Sequence, residues 1–451
     1  MRRSTLAPVA APLLVLLLTA PSDVAHAQGL RGKISSLFIF GGGDEPLFLA
    51  GSADPNNPAS IQAHGRHFVP ASAAENAAVI GFITDAIGAN IANVPIGSTS
   101  GSTTFHFEGG VPVKTSTSAG PIFAERAQTL GRGRVLAGVN RSGFSFKSLR
   151  GVDLNNLQLD FTHENVDFPG CDAQFGDQCS KMGVPPLEND VIDVRLSLDI
   201  DVHATALYAT YGVTDRIDVS AVVPIVETDV RGESDAQIIP FGGPTAAHFF
   251  SGTPENPGLG ASRTTQGSAT GLGDVAVRVK TNLRQTPRTS AALLADARFP
   301  TGSQDDLLGA GFFTARALAI VSSRFGDVSP HLNVGYLYRA GSRTNDAVLG
   351  TVGFDQLLAE HVTLAADVIS ELQVGTSTLE LPAPVTYNAP FRRTVRPTSI
   401  PDTRDDIVNG SFGGKFTFAG SATLILNALF PLNRGGLRPG VAYTAGLEYT
   451  F

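Results

Sequence analysis

From Val191 to Tyr211 the chain reads VIDVRLSLDIDVHATALYATY, with almost every second residue apolar. Ile192, Val194, Leu196, Leu198, Ile200 and Val202 fall on one face, and Asp193, Arg195, Ser197, Asp199, Asp201 and His203 fall on the other. Successive side chains of a strand point to opposite sides, so this alternation predicts a β-strand. Strands of soluble proteins run roughly 3–10 residues, and this one keeps its period for about twice that length. A membrane barrel uses such a pattern directly, with apolar side chains toward lipid and polar ones toward an aqueous lumen. On that reading Asp193, Arg195, Asp199, Asp201 and His203 line the lumen.

The rest of the composition narrows the class. Formal net charge is −8, and no basic stripe is present, which speaks against a nucleic-acid partner. Arg2 and Arg3, the apolar run Leu13–Leu18 and Ala25-His26-Ala27 before Gln28 have the layout of a secretory signal peptide. Residues 1–27 are therefore expected to be cleaved, since the run is shorter than the ~20 residues of a spanning helix. Later segments offer no spanning helix, which leaves the periplasm, secretion or an outer-membrane barrel. Cys171 and Cys179 share a polar loop, and in an exported chain the expected outcome is a small disulfide.

Residues 28–130 form a mixed region ahead of the alternating part. Val79, Ile80, Ile83 and Ile87 recur at helical spacing within Ala71–Ala92, and Ser102–Thr117 reads as a short hairpin turning at Gly109-Gly110. Such a region either plugs a lumen or lies in the periplasm. From Arg134 to Phe451 thirteen alternating runs follow, beginning with Val135–Ser148 and Leu154–His163. Their apolar sets, such as Val219 and Val223, Val277 and Val279, or Phe412 and Phe416, are expected to face lipid. The opposite faces carry Asp218, Arg278, Lys280, Asp296, Arg298, Asn333, Arg339, Asp367, Lys415 and Glu448, the residues a wet interior tolerates. Tight turns such as Gly212–Asp215 and Ala359–Glu360 alternate with long links such as Arg231–Gly271 and Gly375–Arg404, as periplasmic turns alternate with extracellular loops. The fold class is thus all-β: a closed antiparallel transmembrane barrel of 12–14 strands over residues 131–451. Even strand numbers and a hairpin-derived extra strand make fourteen the preferred count, with the strand at Val135 descending.

The final strand, GVAYTAGLEYTF, puts Val441, Tyr443, Ala445, Leu447, Tyr449 and Phe451 on one face and stops on phenylalanine. This ending resembles the C-terminal signature of outer-membrane barrels, which implies recognition by the barrel-assembly machinery. YATYGVTDRIDVSAVVPIV (Tyr208–Val226), GLGDVAVRVKTNL (Gly271–Leu283), LLADARFPTGSQDDLLGAG (Leu293–Gly311) and FGDVSPHLNVGYLY (Phe325–Tyr338) resemble the transporter-like barrels of the meta-pathway phenol-degradation family, akin in architecture to long-chain fatty-acid channels. The resemblance implies an outer-membrane protein of a Gram-negative bacterium that passes small, often aromatic or otherwise hydrophobic, compounds, with no catalytic set and no cofactor.

Other chemistry finds little support. Gly271–Ala276 fits G-x-G-x-x-A but opens a strand instead of a helix, so the dinucleotide fingerprint fails. His64 and His67 read as a solvated loop, not a metal site. A lipase would need Ser197 beside one of His163, His203, His331 or His361, and spacing supports none of these pairs. The acids of Val191–Tyr211 are offset by lysines and arginines on other strands, unlike the single dominant sign of an ion-selective pore. The expected function is a passive outer-membrane channel for small molecules; the alternative is a barrel whose long loops bind an external partner. The channel reading requires Asp199 and Lys280 to face inward.

Overall fold

A computed structural model describes residues 28–40, 74–92, 105–108, 111–114, 118–162, 190–240, 249–253, 255–341, 344–387, 392–418 and 422–451. The expected signal peptide, His64, His67, Cys171, Cys179 and the turn at 419–420 lie outside the described residues. Twelve antiparallel strands close into a ring. They are β1 (Val135–Leu149), β2 (Val191–Gly212), β3 (Ile217–Ile239), β4 (Val275–Gln285), β5 (Thr289–Phe299) and β6 (Thr314–Ser323). The ring continues through β7 (Val328–Arg339), β8 (Ala347–Ala359), β9 (Val362–Gln373), β10 (Ile407–Phe418), β11 (Ala422–Pro431) and β12 (Ala442–Thr450). Each strand pairs with its neighbours in sequence, and β12 pairs with β1 to complete the circle.

Two sequence expectations need correction. The preferred count of fourteen becomes twelve. The Ser102–Thr117 hairpin forms strands Phe105–Glu108 and Val111–Lys114 that pair with each other and not with the wall. Leu157–Thr162, within the second alternating run, pairs with the outer end of β2, beyond the point where β1 has left it. It therefore does not cross the wall, and β1 rises instead of descending. Its first residue, Val135, exchanges backbone hydrogen bonds with Phe451 at the short-turn end of the barrel, each at 2.9 Å.

The second correction concerns the longest strands. At roughly 3.3 Å per residue, the 22 residues of β2 reach about 70 Å, far more than an apolar band of ~25 Å requires even with a ~40° tilt. The lower part of β2 presents Leu207 and Tyr211 outward, 48% and 50% exposed. The upper part does the reverse: Ile192, Val194, Leu198, Ile200 and Val202 are completely buried, while Arg195 and His203 are exposed. Asp193, Arg195, Asp199, Asp201 and His203 therefore lie on the outer face. The strand projects above the membrane band, where the outside is water and the inside is protein. β3 behaves alike, with Val219, Val223 and Ile225 outward below and Val226 and Val230 buried above. Leu157–Thr162, β2, β3 and strand Gly260–Leu272 together make this projecting wall.

What the projecting wall covers is a hydrophobic core. Helix α1 (Leu30–Ser35) contributes Leu30 and Ile34, and the turn after it adds Leu37 and Phe38. Helix α2 (Ala74–Ala92) contributes Val79, Ile80, Ile83, Ile87 and Ile91, the positions one helical face supplies. The 301–311 loop folds inward and places Leu307 and Leu308 in the same cluster. The long 375–404 link adds Leu379 and Ile400, and buried Arg150 holds its base through Asp405 at 2.8 Å and the carbonyl of Pro401 at 3.1 Å.

Candidate functional site: the barrel interior

Within the membrane band the wall follows the barrel rule. Val277, Val279, Leu332, Val334, Phe412, Phe416, Tyr443 and Leu447 point outward, each more than a third exposed. Inward stand Asp218, Arg278, Lys280, Asp296, Arg298, Asn333, Asp367, Lys415 and Glu448, all buried, and Arg339 at the upper rim. The inward condition thus fails for Asp199 and holds for Lys280. The failure concerns wall that stands above the membrane band, and the polar interior within the band is intact.

Charges buried this deeply need partners, because an uncompensated ion in a dry interior is costly. Asp296 on β5 receives Arg278 from β4 at 2.6 Å, Arg316 from β6 at 2.9 Å and Arg298 from its own strand at 3.3 Å. The register explains this: Asp296 sits directly across from Arg278 on one side and Arg316 on the other. Lys280 lies 3.9 Å from both Asp218 and Glu125. Lys415 lies 3.6 Å from Glu448, and His331 is 2.7 Å from Asp367.

Between these walls runs an inner segment, residues 118–130, reading SAGPIFAERAQTL. It has no alternation and contains Pro121, so its backbone joins no ladder. Buried backbone groups still require partners, and wall side chains supply them. Thr363 accepts from the Ala119 amide at 2.8 Å, Ser322 from Ala127 at 3.0 Å and Asp218 from Leu130 at 3.0 Å. Asn333 bonds Glu125 twice, accepting from its amide and donating to its carbonyl. Arg126 pairs with Asp355 at 2.6 Å, with both side chains almost fully buried, and the Ser118 hydroxyl bonds the same carboxylate. The segment thus runs from the β8–β10 side of the barrel to β3. Where it leaves to join β1, Gly212 is required, because a Cβ there would lie 1.9 Å from the Gly131 carbonyl oxygen.

Above this segment and below α2 lies a cavity of about 270 Å³. Phe82 and Ala86 of α2, Phe123 of the inner segment, and Phe144, Leu318, Leu337 and Leu429 of the wall are among its apolar lining residues. Arg278, Arg298, Arg316, Arg339 and Arg438 form much of its polar lining. Sequence reading missed Glu125, Arg126, Arg316, Asp355 and Arg438 as interior groups. For Arg316 and Asp355 the signal was present, since each lies on the inward phase of an alternating run. Arg438 likewise lies on the even-numbered, inward phase of the final run Leu437–Phe451, whereas Glu125 and Arg126 lie where no period exists to place them. Among the described residues no group of His, Cys, Asp and Glu is placed to hold a metal ion.

A closed antiparallel ring with an even strand count, an apolar outer band and a charged interior defines a β-barrel of the outer membrane. Residues 188–363 match the family model described as "Putative MetA-pathway of phenol degradation", the family that the stretches from Tyr208 to Tyr338 resemble. Among solved structures, an outer membrane channel from Pseudomonas putida F1 is similar at 12% identity and a TM-score of 0.41, over 72% of this chain and 98% of that one. A mutant of the TodX monoaromatic hydrocarbon channel follows at 14% identity and a TM-score of 0.36, over 72% and 92%. A Pseudomonas aeruginosa FadL homologue gives 11% identity and a TM-score of 0.30, over 70% and 89%. No curated protein matches this chain.

Proposed function

We propose that this barrel is a passive channel for small hydrophobic or aromatic solutes, with α1, α2 and residues 118–130 acting together as its plug. The observation that carries the reading is the contrast between the two ends of the interior. The upper end is filled by an apolar core, while the inner segment below is tethered by polar side chains. A partly apolar cavity lies between them. A general diffusion pore would keep a continuous wet lumen, whereas a plugged barrel admits only solutes that can occupy the cavity and then displace a tether. The outward apolar face of β12 ending at Phe451, 60% exposed, suits recognition by the barrel-assembly machinery during insertion.

The test is uptake by intact Gram-negative cells whose outer membrane carries the full chain, compared with cells lacking it. A radiolabelled monoaromatic solute at low external concentration should enter several-fold faster, while a small sugar should enter at the same rate in both strains. Equal acceleration of both solutes, or of neither, would overturn the reading.

A further inference from the structure

The guanidinium groups around the central cavity outnumber the acids that engage them. Arg278, Arg298 and Arg316 share the single carboxylate of Asp296. Glu125 lies 3.7 Å from Arg278, but it also serves Lys280 at 3.9 Å. Arg339 pairs with Glu371. Asp346 accepts from the Arg339 amide and the Tyr336 hydroxyl, and Asp405 is held by Arg150. Arg438, 2% exposed, donates to two neutral oxygens, the Val408 carbonyl at 2.9 Å and the Asn409 side chain at 2.5 Å. The buried Nε groups of Arg316, Arg339 and Arg438 have no hydrogen-bond partner. In Arg339 and Arg438 such a donor belongs to a side chain more than nine-tenths buried.

A guanidinium presents a planar fork of N–H donors that matches a carboxylate in shape as well as charge. Arg278, Arg316 and Arg339 stand on β4, β6 and β7, with Arg298 on β5 between them, so the donors form a band across one wall. Phe82 from α2, Phe123 from the inner segment and Phe144 from β1 line the same cavity, none of them on the strands that carry the band. A dry cavity of about 150 Å³ is enough for benzene, so 270 Å³ admits one ring with a short polar substituent. Polar donors from one set of elements and rings from another match a molecule with the same division.

We propose that the cavity is a binding site for a small amphipathic organic acid, its ring or short chain against Phe82, Phe123 and Phe144 and its carboxylate on the Arg316–Arg339 side. The inference rests on the channel reading and narrows it, because it makes a carboxylate head, rather than hydrophobicity alone, the feature the interior selects.

The test is calorimetric titration of the full chain, folded in detergent micelles, with phenylacetate and separately with its neutral isostere phenylacetamide. The acid should bind at least about ten-fold more tightly, the scale of a charge-assisted hydrogen bond. Arg316→Gln should abolish the preference, while Arg316→Lys should retain part of it. Asp296 keeps Arg278 and Arg298 in both variants, and the heat-induced mobility shift of folded barrels in gel electrophoresis checks each one. Equal affinity for acid and amide in the wild type overturns the proposal without any variant. So does a preference that survives Arg316→Gln and Arg339→Gln undiminished. Cells that still take up the neutral aromatic solute in either case would leave the channel reading standing, so the two failures are distinguishable.

Discussion

The tether most exposed to test is the ion pair between Arg126 on the inner segment and Asp355 on β8. Their side chains are 4% and 0% exposed and 2.6 Å apart. Arg126→Ala leaves the carboxylate in place, with the Ser118 hydroxyl beside it and His331 3.7 Å away. Stripping one partner from a buried pair costs about 3–5 kcal/mol; with two polar neighbours retained, the lower end applies, about 3 kcal/mol. At about 1.4 kcal/mol per decade, that shifts the ratio of docked to released segment roughly 100-fold. In planar bilayers the variant should therefore show long open events that the wild type shows rarely. The exchange Arg126→Asp with Asp355→Arg should bring closed behaviour at least partly back, since it restores the attraction in reverse. Wild-type conductance from a folded Arg126→Ala barrel, with the exchange behaving no differently from the single variant, would refute the tether.

Two further predictions concern the projecting wall. Leu198→Ala should cost about 2–5 kcal/mol in denaturant unfolding, as a buried leucine does. Asp199→Leu, which removes an exposed 3.4 Å contact with Arg231, should cost under about 1 kcal/mol; the opposite order would sink the inverted reading of β2. Asp160 has its pKa raised to about 6, first by burial and then by Asp193 across the strand pair, against weaker opposing effects from Gln158 and Arg393. A carboxyl raised in the folded state holds its proton there after the unfolded chain has lost it. Protection of Leu157–Thr162 against amide exchange, corrected for intrinsic rates, should thus be greatest near pH 4 and fall toward pH 6. It should then level off, about 3 kcal/mol lower at most. Asp160→Asn should flatten that profile, and a slope of the opposite sign would contradict the assignment.

The inversion along β2 and β3 shows how far a period of two can be read. Alternation predicts a strand and groups its residues into two faces, and both groupings hold. It does not say which face meets lipid, because an apolar face is equally satisfied by acyl chains outside or by packed helices inside. The distinguishing signal is a change of phase. On β2 the apolar residues are even-numbered through Val202 and odd-numbered from Leu207, with no break in the strand. On β3 they are odd-numbered through Ile225 and even-numbered from Val226 to Ile238. A continuous strand cannot rotate by one residue without a bulge, so the surroundings must have exchanged places instead. The crossing marks where the wall leaves the membrane, and above it the apolar face demands something to cover, which α1 and α2 provide. The inner segment had no such signal. Its contacts with Asp355, Thr363, Asn333 and Asp218 join residues 88 to 244 positions apart, and closure of the ring is what brings them together. The arginine band has the same origin. Arg278, Arg298, Arg316 and Arg339 are recurrent inward residues on successive antiparallel strands, and only the register that sets Arg278 and Arg316 on either side of Asp296 turns four separate positions into one surface.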